Sequence, residues 1–81
     1  MNNKRKVLIT GGMGYVGARV AQELSIRSDL DIVLGTRLAQ DSPAWLPSAL
    51  VVAMDWCSQQ SLSDACNGVD IILHLAAMNE I

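Results

Sequence analysis

Glycines at positions 11, 14 and 17, within Thr10-Gly11-Gly12-Met13-Gly14-Tyr15-Val16-Gly17, have the spacing of a backbone cradle for a pyrophosphate. The segment follows the apolar run Val7-Leu8-Ile9 and leads straight into a helical pattern. Gly11 suits a tight turn, Gly14 leaves room for a ligand to approach the main chain, and Gly17 allows the helix to lie close on the strand. The first N–H groups of that helix, at its positive dipole end, then face the anion. A glycine-rich loop that merely turns the chain is the competing reading, and the strand before and helix after argue against it.

Three other stretches hold residues suited to the same ligand. At the end of the second apolar run stands Gly35, followed by Thr36 and Arg37. A carboxylate at this position would accept hydrogen bonds from ribose hydroxyls and repel a 2′-phosphate. With Gly35 there the repulsion is gone, and the Thr36 hydroxyl and Arg37 guanidinium suit a phosphate, which favours NADP over NAD. The bland alternative makes Arg37 a solvated arginine and Gly35 a turn. Asp55, followed by Trp56, ends the third apolar run. It fits two roles: acceptor for an adenine amino group, with Trp56 as apolar surface, or cap of the next helix. Leu75-Ala76-Ala77 ends the fourth run, where small residues let the main chain lie against a ribose and pyrophosphate. His74, one step below, reads as a structural histidine.

These segments need elements to position them. Strands are expected at Val7 to Thr10, Asp31 to Gly35, Leu50 to Met54 and Val69 to Ala77. Val16, Val20, Ala21 and Leu24 recur at helical spacing from Val16 to about Ile26. A short helix is expected from Ser58 to Asn67, with Leu62, Ala65 and Cys66 inward and Gly68 as its stop. Pro43 and Pro47 argue against a regular helix between residues 39 and 48, and Trp45 is expected to cap the core there. The alternation implies an α/β fold, a parallel sheet with right-handed crossovers and strand order 3-2-1-4. The ligand crevice then lies at the carboxyl ends of the strands, between the first and the fourth.

The composition agrees with a small globular unit: 81 residues, 51% hydrophobic and 17% charged, net charge −2. Such a chain buries roughly 60–65% of its unfolded surface. Lys4-Arg5-Lys6 is the one basic cluster and solvates the first strand; no basic, aromatic-interleaved face follows for nucleic acid. Cys57 and Cys66 form no CxxC and have no histidine at ligand spacing, so they read as reduced packing residues, with no metal site. Without a long apolar span or signal-peptide core, the expectation is a soluble, cytoplasmic protein with no membrane partner.

TGGMGYVG, the Asp55 edge and HLAA together resemble the extended short-chain dehydrogenase/reductase family, of the NAD(P)-dependent epimerase/dehydratase type. The resemblance runs from Lys6 to Ala77, with TGxxGxxG matched at Thr10, Gly11, Gly14 and Gly17. It implies the N-terminal half of a doubly wound Rossmann-type sheet. It also implies that the main-chain groups of Tyr15 and Val16 sit on the pyrophosphate, that Asp55 and Trp56 hold the adenine, and that Leu75, Ala76 and Ala77 line the cofactor. Gly35 departs from the aspartate of many NAD-using members.

That family's chemistry uses a tyrosine and a lysine four residues apart, the lysine lowering the tyrosine's pKa. Here the only tyrosine is Tyr15 and the only lysines are Lys4 and Lys6, so the segment contains no catalytic pair. Residues 1–81 are therefore expected to be the dinucleotide-binding N-terminal portion of a longer epimerase, dehydratase or reductase. Its substrate would be a nucleotide sugar or a related carbonyl or hydroxyl compound, and a homodimer of the intact protein stays open. The rival from another class is a stand-alone NAD(P)-binding or sensing module without chemistry. A phosphoryl-transfer enzyme is disfavoured, since no Gly-Lys-Ser/Thr follows the glycine turn.

Overall fold

Why a parallel sheet forms is visible in β1 (Arg5–Thr10) and β2 (Leu30–Thr36), whose four consecutive buried residues leave neither face to solvent. In the computed structural model, which describes residues 4–38 and 40–76, these strands pair in parallel from Arg5 with Leu30 to Thr10 with Gly35. β3 (Leu50–Ala53) adds to the outer side of β2, and β4 (Ile71–His74) adds to β1, placing Thr10 opposite His74. The order is β3-β2-β1-β4, as the sequence predicts.

Alternate residues of the two central strands feed two cores. Val7, Ile9, Ile32 and Leu34 pack with Ala21 of α1 (Tyr15–Leu24) on one face. Leu8, Val33 and Met54 pack with Ala65 of α2 (Gln59–Ala65) on the other. The helices therefore cover opposite faces, because the chain winds one way from β1 to β3 and the other way from β3 to β4. That reversal beside β1 makes the switch point at which ligands bind in such sheets.

Several local expectations are corrected. Val16 is 58% exposed, whereas Gly17 and Ala21 are the buried residues of α1; in this first turn the glycine takes the place on the strand. α1 ends at Leu24, and Ile26 lies outside it, exposed. Cys66 is the exposed C-cap of α2 rather than an inward residue, because the helix stops one residue earlier. No helix forms between residues 40 and 49, as the prolines require. Two turns, Leu46 N–H to the Pro43 carbonyl (3.0 Å) and Ala49 N–H to Leu46 (3.2 Å), bury Leu46 and Ala49 in the first core. These two residues, not the more exposed Trp45, close that side.

β4 is shorter than the expected Val69 to Ala77. Before it, Gly68 turns at φ +75°, and Asp70 is held by its N–H on the Lys6 carbonyl (2.9 Å) and its carboxylate on the Lys6 N–H (2.8 Å). After it, the Leu75 N–H still reaches the Thr10 carbonyl at 3.3 Å, Ala76 makes no further strand pairing, and Ala77 lies outside the described residues. No helix among the described residues is long and apolar enough to cross a membrane.

Candidate functional site

The turn from β1 to α1 is closed on itself. Gly11 sits at φ +69°, in the left-handed region that side chains avoid, and its carbonyl accepts the Gly14 N–H at 2.9 Å. A β-carbon at Gly17 would collide with that same carbonyl, so only glycine lets α1 begin this close to the strand. Gly12 fills a buried spot against Leu34 and donates its N–H to the Gly35 carbonyl at 3.2 Å. The glycine spacing alone did not single it out.

Gly14 is the N-cap of α1, with no side chain to cap it, and its carbonyl accepts the Ala18 N–H at 2.9 Å. The N–H groups of Tyr15, Val16 and Gly17 have no partner among the described residues. Three free donors and the positive end of the helix dipole thus converge where no side chain stands. A β-carbon at Gly14 would meet only the Gly11 carbonyl oxygen, at 3.2 Å, so the fold itself leaves this space open. Tyr15 is 80% exposed beside it, its ring 5.8 Å from the Arg19 guanidinium carbon.

The other sequence-selected residues come to the same edge of the sheet. Gly35 is buried at the end of β2, level with Thr10. Thr36 ends the strand, its hydroxyl accepting the Gln40 amide at 3.2 Å, and Arg37 follows, exposed and without an ion pair among the described residues. Beyond β3, one Asp55 carboxylate oxygen accepts the Cys57 N–H at 2.9 Å. The helix cap is Ser58, whose hydroxyl accepts the Ser61 N–H at 3.1 Å, so capping is not the role of Asp55. Trp56, 45% exposed, meets the His74 ring edge to face at 5.4 Å between centroids.

Leu75 and Ala76 are tied to the glycine turn. The Thr10 hydroxyl accepts the N–H groups of Leu75 (3.0 Å) and Ala76 (3.2 Å) and lies 2.8 Å from His74 Nδ1. A β-carbon on Gly11 would be 3.0 Å from the Ala76 main chain. This hydroxyl hub was not anticipated, although the pairing of β1 with β4 puts Thr10 and His74 side by side. Among the described residues no group of His, Cys, Asp and Glu could hold a metal ion.

The model of the NAD dependent epimerase/dehydratase family matches residues 7–81. No curated protein sequence gives a match. Among solved structures, a suspected epimerase from Burkholderia cenocepacia J2315 superposes at TM-score 0.77 with 21% identity, over 96% of this chain and 27% of that one. The UDP-glucuronic acid 4-epimerase from Bacillus cereus, in complex with NAD, gives 0.70 and 24% over 94% of this chain and 28% of that one. The L-threonine dehydrogenase from Clostridium difficile gives 0.73 and 21%, over 95% and 25%. These likenesses establish the fold, and the chain spans about a quarter of the length of each structure.

Proposed function

This chain belongs to the NAD dependent epimerase/dehydratase family, and from that premise we propose that its carboxyl-edge cleft binds the dinucleotide cofactor of an oxidoreductase or epimerase, with NADP(H) preferred. The observation that carries the reading is the trio of N–H groups at Tyr15, Val16 and Gly17, unpartnered among the described residues and opened to a ligand by the absent side chain of Gly14. A pyrophosphate supplies the acceptors those donors lack.

The remaining parts follow the cofactor's length. Leu75 and Ala76, with Ala77 beyond them, would lie along the ribose next to the pyrophosphate. Asp55 has one carboxylate oxygen without a partner among the described residues, suited to an adenine amino group, and Trp56 offers the ring its apolar face. Gly35 removes the carboxylate that would repel a 2′-phosphate, while Arg37, without an ion pair among the described residues, and the Thr36 hydroxyl supply charge and a hydrogen bond. When bound, the cofactor would accept or return a hydride.

Residues 1–81 supply binding and orientation. Tyr15 stands at the phosphate turn, while Lys4 and Lys6 lie at the opposite end of the sheet, so this segment holds no acid–base pair for the substrate. We assign the segment to the cofactor half of a longer enzyme acting on a nucleotide sugar or related hydroxyl or carbonyl compound. Titration with NADPH and NADH tests the site: binding with NADPH the tighter supports it, and equal or tighter NADH binding overturns the preference. Turnover of any carbonyl or sugar-nucleotide substrate by the 81-residue chain alone would overturn the assignment of chemistry elsewhere.

A further inference from the structure

The main chain of Asp55 is held on both sides. Its N–H donates to the Ser61 hydroxyl at 2.9 Å, and its carbonyl accepts the Ser58 N–H at 3.0 Å. One carboxylate oxygen, Oδ1, accepts the Cys57 N–H at 2.9 Å, so only Oδ2 is left without a partner among the described residues. Next in the chain, the Trp56 N–H also has no partner among the described residues. A free acceptor followed by a free donor complements the edge of an adenine, whose 6-amino group donates and whose N1 accepts. Hypoxanthine reverses both, with an oxygen at position 6 and a hydrogen on N1.

Two of the three bonds on Asp55 are local to its own turn. The third comes from α2. At many helix starts the third helical residue sends its side chain back to the N–H of the capping residue. Here the cap, Ser58, gives its N–H to the Asp55 carbonyl, and the Ser61 hydroxyl reaches past it to the Asp55 N–H. The Ser61 N–H is itself satisfied by the Ser58 hydroxyl at 3.1 Å, so the start of the helix is capped without help from the Ser61 side chain. α2 in turn packs Ala65 and Leu62 on Leu8, Val33 and Met54 of the second core. Through Ser61, therefore, an exposed loop is tied to a packed helix.

We propose that Ser61 is a positioning residue for adenine recognition: acting through Asp55, its hydroxyl anchors the loop after β3 to α2 so that the free carboxylate oxygen and the Trp56 N–H meet the base together. The inference rests on the cofactor reading above, and its test separates the two. The probes are NADPH and its hypoxanthine counterpart. The parent should bind NADPH several-fold more tightly than that analogue. Ser61→Ala should lower this preference about threefold or more, the effect of one hydrogen bond, with the loss falling on NADPH. Ser61→Thr, which keeps the hydroxyl, should hold the preference within about twofold of the parent. In an Asp55→Ala background, Ser61→Ala should change the preference no further.

A parent-like preference in Ser61→Ala, even where both affinities fall together, would overturn the role of Ser61, and so would a further drop in the Asp55→Ala background. A parent that binds both ligands equally would overturn the adenine role of Asp55, and the positioning role with it. Failure of the parent to bind either dinucleotide would overturn the cofactor reading itself. If Ser61→Ala does not fold, Ser61→Cys, similar in size but a weaker acceptor, decides by the same ratio. A lowered preference supports the proposal, and a parent-like one overturns it.

Discussion

The sulfur of Met54 stands 2.5 Å from where a β-carbon on Gly35 would be built. The thioether thus occupies the space that the first carbon of any side chain at position 35 would need, so two residues, not one, set what this edge can carry. Gly35→Asp forces Met54 to move, at a cost of about 1–3 kcal/mol. The cost should shrink in a Met54→Ala background, with a coupling of about 1 kcal/mol or more in a double-mutant cycle read by denaturant melts. Additive losses would show that Met54 yields freely.

Arg37 should carry much of the discrimination between dinucleotides. Arg37→Ala is expected to weaken NADPH by about 1.5–3 kcal/mol, the range of a charge-assisted hydrogen bond, with little change for NADH. Calorimetric titration of both ligands measures this, and an equal loss for both would remove Arg37 from the 2′-phosphate.

Two glycines of the turn should fail in different ways. At Gly14 an added side chain meets little protein, so Gly14→Val should remain folded, losing about 1 kcal/mol as a poorer N-cap, and lose dinucleotide binding. At Gly17 the added carbon strikes the Gly11 carbonyl, so Gly17→Ala should destabilise the fold by about 1–3 kcal/mol. Circular dichroism melts beside binding curves separate the outcomes. Parent-like NADPH binding by Gly14→Val would remove the pyrophosphate from this turn.

β4 is an edge strand, and Ile71, Ile72 and Leu75 on or beside it are substantially exposed. As an isolated 81-residue polypeptide the chain should therefore be marginally stable and associate with itself along that edge. Sedimentation should show concentration-dependent association that Ile72→Lys suppresses. A monomer with a cooperative, high-temperature transition would contradict this.

The strand order was legible in the sequence because β1 and β2 are continuous apolar runs and the glycine turn marks the first crossover. Side-chain direction near the turn was less so. Val16 satisfied the helical spacing, yet α1 begins so tightly on Gly11 that only Gly17 fits beneath it. The end of β4 was overextended because Leu75 and Ala76 are apolar, and apolarity does not reveal that their N–H groups turn to a hydroxyl 65 and 66 residues earlier. Likewise, no local pattern marks Met54 as the neighbour of Gly35. That contact arises only when β3 lies beside β2.

The turn that clasps itself through Gly11 and Gly14 has a consequence for how specificity can change. Its geometry is set by bonds and contacts within the protein, so binding a pyrophosphate orders little backbone and loses little entropy. Arg37 and Asp55 instead stand exposed on loops. On the proposed reading, grip on the phosphates would thereby be separate from choice between cofactors: substitutions in the two loops would retarget the protein while the preorganised turn supplied the same share of affinity to each ligand.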